Sequence, residues 1–187
     1  MELFEYIDYL DKPFDIFYTD SVASPRHWHY YSEILYIRQG SIKVICNDGK
    51  VILDEGDVCY FYPLQLHEVT KAQEGKVDYA VVKFDIHTIH IPEAYLQKIY
   101  DYFVRRSSEK DFCLLLSTKK QTEELGQLIV NTVEEYQKKQ DFLTAAISSV
   151  PTKNGRVSRR NSRECVCNFT LYFLPESCYY DARVKSR

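Results

Sequence analysis

A small β-barrel followed by two helices is the fold class this sequence predicts, and three observations carry it. Between residues 14 and 90, short runs rich in β-branched and aromatic residues recur with Gly, Asn, Asp and Pro between them. After residue 90 the apolar residues switch to helical spacing. Aromatics make up 14% of the chain, with 16 Tyr, and they cluster in the strand-like runs. Amphipathic rings of that size suit the interior and rim of a small barrel.

The strands can be taken in order. Ser32 to Ile37 and Ser41 to Cys46 are broken by Gly40. Asn47-Asp48-Gly49 signals a hairpin, because a tight turn needs positive φ that these three residue types tolerate. Lys50 to Leu53 leads to a second turn at Asp54-Glu55-Gly56-Asp57. Val58 to Tyr62 follows and stops at Pro63, and Val77 to Phe84 is the next strand. Pro92 then stands as a first helical residue, with Leu96, Ile99, Tyr100 and Phe103 on one stripe running to Arg105-Arg106. A second helix is expected from Ser117 or Thr118, with Leu125, Leu128, Ile129, Thr132 and Tyr136 on its apolar face and an extension through Leu143, Ala146 and Ile147. That face serves equally to pair two chains or to pack on its own barrel.

The chain thus divides into a barrel over 1–91, a helical region over 92–147 and an atypical segment over 148–187. The last stretch holds 8 Lys/Arg against 3 Asp/Glu, while residues 1–147 hold 16 against 24. It shows neither strand nor helix periodicity and half of the cysteines fall in it. It reads as a disordered basic tail or an unrelated appended sequence.

Composition excludes several function classes. A net charge of −3 gives no electrostatic footprint for nucleic acid. No run of about 20 apolar residues is present to span a membrane. The acidic, aromatic N-terminus lacks the basic stretch of a secretory signal. Cysteines 46, 59, 113, 165, 167 and 178 form no CxxC pair, as expected for reduced thiols in the cytoplasm. No nucleophile–base pair, phosphate loop or dinucleotide fingerprint appears, so no catalytic residues are assigned and an enzyme is not expected.

The chemistry lies in His27-Trp28-His29-Tyr30-Tyr31-Ser32-Glu33. On one continuous strand, His27, His29, Tyr31 and Glu33 share a face. Two imidazoles and a carboxylate are ligand types for zinc, iron, manganese or nickel, and His67, just past Pro63, supplies a fourth across the barrel. A single His is more often structural than a ligand. Two with a Glu on one face, and another after a turn, point to a lined pocket. Without a metal the same groups offer donors and acceptors to a polar effector. Tyr31 can stack on a sugar ring, and Arg38 can anchor a hydroxyl or carboxylate. Trp28 points the other way, toward packing or the barrel mouth. The faces of Tyr60 and Tyr62 stay undecided.

The run H-x-H-x3-E-x6-G (His27, His29, Glu33, Gly40) resembles the first cupin motif, lacking only its upstream Gly. Gly56-Asp57, Pro63 and His67 resemble the second, with Gln65 in place of a Gly and the His one residue early. The barrel is therefore expected to be a cupin-like double-stranded β-helix. Residues 14–145, including HWHYYSEILYIRQG and EGDVCYFYPLQLHEV, are similar to the N-terminal effector-binding domain of AraC-type transcription regulators.

That resemblance implies a pocket for a sugar or other small polar effector and a homodimer through the helices. DNA binding would come only from a C-terminal domain with two helix-turn-helix units, to which nothing after residue 148 is similar. It also implies no obligatory cofactor. A divalent transition metal on His27, His29, Glu33 and His67, with isomerase or dioxygenase chemistry, is the alternative. Residues 1–13, with Phe4, Tyr6 and Tyr9, are aromatic enough to close over such a pocket as an arm.

Overall fold

A computed structural model describes residues 3–6, 13–47, 49–86, 97–99, 101–102, 105, 114–116 and 119–149, with side chains in the last stretch over 123–139. Its strands are β1 (Leu3–Phe4), β2 (Phe14–Thr19), β3 (Ser24–Trp28), β4 (Ser32–Gln39) and β5 (Ile42–Cys46). They continue with β6 (Gly49–Leu53), β7 (Val58–Phe61), β8 (His67–Lys71), β9 (Asp78–Phe84) and β10 (Leu114–Leu116). Helix α1 covers Lys119–Ser149.

Two five-stranded sheets face each other, in the orders β1-β3-β8-β5-β6 and β10-β7-β4-β9-β2. Apart from the β5–β6 hairpin, the strands from β1 to β9 alternate between the sheets, so β1, β3, β5, β6 and β8 lie in the first and β2, β4, β7 and β9 in the second. This is the barrel expected from the strand spacing, of the cupin-like kind that the resemblance of the two motifs implied.

Alternation along the second sheet divides its side chains between two cores. Leu35 and Ile37 on β4, Cys59 and Phe61 on β7, and Tyr79 and Val81 on β9 point into the barrel. There they meet Ile42, Val44 and Val69 of the first sheet. Ile34, Tyr60, Val82 and Phe84 point outward and meet Leu125, Ile129 and Val133 of α1. Both faces are buried, and each such aliphatic side chain contributes about 1.5–3 kcal/mol by leaving water. Tyr60 and Tyr62 belong to the helix-facing core, which settles the face that sequence left undecided.

The α1 stripe at 125–133 therefore packs on its own barrel. Tyr136 Oη donates to the Phe14 carbonyl at 3.1 Å and Tyr18 Oη to that of Val130 at 3.3 Å, fixing the helix along β2. Gly126 lets α1 come close, since a Cβ there would sit 2.6 Å from the Tyr36 ring. At Gly40, φ is +78° and a Cβ would run into the Lys76 carbonyl. Both constraints account for a glycine ending β4.

The helical region follows the expectation where it is described, with one strand added. α1 starts at Lys119, and helical residues appear at 97–99, 101–102 and 105, inside the first expected helix. The rest of that helix, including Pro92, Leu96, Tyr100 and Phe103, lies outside the described residues. β10 was not anticipated: it pairs antiparallel with β7 (Leu115 opposite Cys59) within the region assigned to helices. Three consecutive leucines carry no alternation to reveal a strand. The basic segment from residue 150 onward also lies outside the described residues.

Candidate functional site

The strand order assembles a polar cluster at one end of the barrel. His27 lies near the end of β3 and His67 begins β8, and the two stand opposite each other in the first sheet. Glu33 on β4 lies opposite Lys83 on β9 in the second sheet. The β3–β4 connection carries His29, and it is tied to the β7–β8 connection by Leu64 N donating to the His29 carbonyl at 2.8 Å. Leu64 adopts φ +67°, an unusual conformation for a leucine that closes the turn ahead of His67.

His27, His29, Glu33 and His67 come together as expected, though by a different route. They do not share one strand: β3 ends at Trp28, and β4 belongs to the opposite sheet. A register shift between Ser24 and His27 also breaks simple alternation. That interval holds Pro25, which lacks the N–H a ladder requires. The side chains meet because two facing sheets converge at this end.

The hydrogen bonds orient all three imidazoles alike. His27 Nδ1 donates to the Pro25 carbonyl at 2.8 Å, His29 Nδ1 to that of Tyr31 at 3.0 Å, and His67 Nδ1 to that of Gln65 at 2.8 Å. A carbonyl only accepts, so each Nδ1 carries a proton and each Nε2 is turned toward the carboxylates. His29 Nε2 lies 2.8 Å from Glu33 Oε2 and His67 Nε2 lies 3.3 Å from the same oxygen. Phe61 stacks on His67 with centroids 4.2 Å apart and planes at 15°. Gln65, at the position of the missing Gly, is buried and accepts from Tyr62 N through Oε1 at 3.0 Å. The altered second motif thus still delivers His67 to the cluster.

Two residues were missed by sequence reading. Lys83 is buried, with Nζ 3.7 Å from Glu33 Oε2 and 2.7 Å from Glu5 Oε2. Its signal was present: Tyr79, Val81 and Lys83 alternate onto the inward side of β9. Glu5 follows β1, which pairs parallel with β3, and its Oε2 also lies 3.3 Å from His27 Nε2. Nothing in the acidic N-terminus singled it out.

The remaining candidates separate. Tyr31 is buried and meets His29 edge-on with centroids 6.2 Å apart. Trp28 packs on Phe4 at 4.5 Å. Arg38 stands apart, five residues further along β4 or about 17 Å at strand rise. It pairs with Asp78 at 3.1 Å and lies over the Tyr18 ring.

Burial pushes both carboxylates up, but their cationic neighbours outweigh it. His27 and Lys83 hold Glu5 at about 2. Lys83, His29 and His67 hold Glu33 well below the usual carboxylate range. Burial lowers His27 and Lys83, yet Glu5 and Glu33 raise both above their ordinary values. His67 is lowered, because burial exceeds the help from Glu33. A carboxylate depressed on folding adds stability that is complete above its unfolded pKa and fades as pH falls through its folded one. The stability gap between wild type and Glu5→Gln in urea unfolding should therefore hold above pH 4.5 and shrink as pH falls toward about 2. A gap that does not change over that window would contradict the pairing.

The donor set also fits a metal ion. The ligand atoms of His27, His29, Glu33 and His67 lie within 4.8 Å of one another, against about 3.4 Å between ligands in a tetrahedral zinc shell with 2.1 Å bonds. The three Nδ1–carbonyl bonds are the outer-shell support such ligands need. Lys83, however, already sets a positive charge beside Glu33.

The family model described as the AraC-like ligand binding domain matches residues 16–150, well over half of the chain. The chain belongs to this family. A Bacillus subtilis (strain 168) protein, the uncharacterized HTH-type transcriptional regulator YbfI, is 25% identical over 155 residues. The match covers 78% of this AraC-like domain chain and 54% of YbfI, so the chain spans about half the length of that relative. Among solved structures, wild-type ToxT from Vibrio cholerae with unsaturated fatty acid bound aligns with TM-score 0.43 and 17% identity, over 72% of this chain and 51% of that one. A Cupin 2 conserved barrel domain protein from Salinispora arenicola aligns with TM-score 0.36 and 21% identity, over 55% and 79%. Among the described residues of this AraC-like domain, no helix is long and apolar enough to cross a membrane.

Proposed function

We propose that this chain is the effector-sensing part of a bacterial AraC-type transcription regulator, acting in the cytoplasm and without catalytic activity of its own. Its effector is a small polar molecule of sugar type, held at the end of the barrel by His27, His29, Glu33 and His67, with Tyr31 beside them. The observation that carries this reading is the gathering of three tautomer-locked imidazoles around one buried carboxylate, with His29 and His67 at 2.8 and 3.3 Å from Glu33 and the ligand atoms of all four residues within 4.8 Å of one another. Buried polar groups are kept where they have partners to satisfy, and a polyhydroxylated ligand offers many. Arg38, engaged with Asp78, drops out of the ligand-binding set. Dimerisation through α1 rests on family membership, and any pairing would use a part of the helix other than the 125–133 stripe. DNA would be read by a helix-turn-helix domain coupled to this one.

Calorimetry with a panel of sugars and sugar acids tests the reading. A member of the panel should bind, and His67→Ala should weaken it about tenfold, the equivalent of 1.4 kcal/mol for one buried hydrogen bond. Undiminished affinity in His67→Ala would place the ligand elsewhere.

The fit of the donor set favours one further reading, a metal-dependent cupin. In it His27, His29, Glu33 and His67 would hold a divalent transition ion, which supplies Lewis acidity when bound. Metal analysis of protein purified without chelator or affinity metal separates the two. One equivalent, lost in His27→Ala, would establish the metal reading, while the sensor reading expects far less than one.

A further inference from the structure

We infer that Glu5 is a built-in surrogate for a carboxylate on the effector, so that the N-terminal arm and an acidic ligand compete for Lys83. The inference rests on the sensor reading and narrows its effector to an anion, such as a sugar acid. Lys83 is an ammonium on the inward side of β9, and its closest carboxylate oxygen belongs to Glu5 at 2.7 Å, not to Glu33 at 3.7 Å. Glu5 Oε2 also reaches His27 Nε2 at 3.3 Å and approaches His29 Nε2 at 3.9 Å. One carboxylate from the N-terminal segment therefore completes a cluster whose other members are held by β3, β4, β8, β9 and the β3–β4 connection.

The segment carrying that carboxylate is lightly held. Among the described residues β1 pairs with β3 at two positions, Leu3 with His27 and Phe4 with Trp28, and Glu5 N adds one bond to the Trp28 carbonyl at 3.0 Å. Leu3, Phe4 and Tyr6 are 38%, 43% and 74% exposed, so these three side chains bury little apolar surface. Phe4 rests on Trp28 and Tyr30, with ring centroids 4.5 and 5.6 Å away, at the edge of the first sheet. Of the described arm residues, Glu5 is the one whose side chain reaches the cluster, through Lys83 and His27. Lifting Glu5 away removes the nearest carboxylate from both Lys83 and His27 and leaves them the charge of Glu33, with Asp15 adding to it at Lys83, and a buried cation stripped of its closest partner is costly. A free carboxylate of suitable size makes the same bonds, releases the arm and uncovers the aromatic edge. An arm that fills the site for 90–99% of the time weakens the apparent affinity about tenfold to a hundredfold.

The test is chemical rescue in the full chain. Glu5→Ala should lower the melting temperature. Millimolar acetate should restore it where the neutral isostere acetamide does not, and adding Lys83→Met should abolish the rescue. Should Glu5→Ala not fold, Glu5→Gln serves, with acetate binding followed by 13C NMR and expected to be at least about tenfold tighter than in wild type. Equal effects of acetate and acetamide, or rescue that survives Lys83→Met, would overturn the inference. If a neutral sugar binds wild type and Glu5→Ala alike while acetate does nothing, the sensor stands and the surrogate falls. If acetate rescues but no sugar or sugar acid binds, the surrogate stands and the proposed effector class falls.

Discussion

Glu33→Gln should destabilise the chain by about 3–5 kcal/mol in urea unfolding at neutral pH, the usual effect of stripping one partner from a buried ion pair. Glu33 is buried, and its Oε2 is approached by His29, His67 and Lys83 together. The amide removes the negative charge that keeps Lys83 ionised among apolar neighbours and leaves Glu5 as its remaining carboxylate contact. Lys83→Met alone should also destabilise, since Glu33 then has only imidazoles to offset its charge. The double variant should be more stable than the two losses added together, with a coupling of about 0.5–3 kcal/mol. Additivity within about 0.3–0.5 kcal/mol would show that the two groups do not act as a pair.

The second large effect concerns the wall of the site. Phe61 is fully buried, belongs to the barrel core and stacks on His67. Phe61→Ala should cost about 3–5 kcal/mol, the sum of lost transfer energy and a cavity. Phe61→Leu keeps most of the volume and should cost less than about 1.5 kcal/mol. Both remove the flat surface that fixes the His67 ring, so the leucine variant should fold nearly as well as wild type while binding effector more weakly. A leucine variant with unchanged affinity would show that His67 is positioned by its Gln65 hydrogen bond alone.

The parts of the fold that were legible in the sequence follow from short-range physics. β4 to β7 and β9 announced themselves through alternation and through turn residues, as at Asn47 with its φ of +50° and at Gly40. The identities of the four clustered residues were legible too, because His and Glu in that spacing serve few purposes in a barrel. Their geometry was not. Crossing from one sheet to the other between Trp28 and Ser32 is a tertiary event, as is the register shift between Ser24 and His27, and neither leaves a period in the sequence. Lys83 was legible in principle from its inward parity with Tyr79 and Val81. A lone charge in an apolar strand reads as solvent-facing, however, until a partner such as Glu33 is known to lie opposite. Glu5 could not be found at all, since its role depends on a parallel pairing between the arm and β3.

The central claim is that the effector binds at the convergence of His27, His29 and His67. The most direct measurement is 15N NMR of the imidazole side chains during titration with the tightest ligand from the sugar and sugar-acid panel. The chain has five histidines, so the three of the cluster can be assigned one at a time with His→Gln variants. Binding at the cluster predicts that the Nε2 signals of all three move together and saturate with the calorimetric affinity. Saturation by the ligand with those three signals unmoved would contradict it and place the effector site outside this end of the barrel.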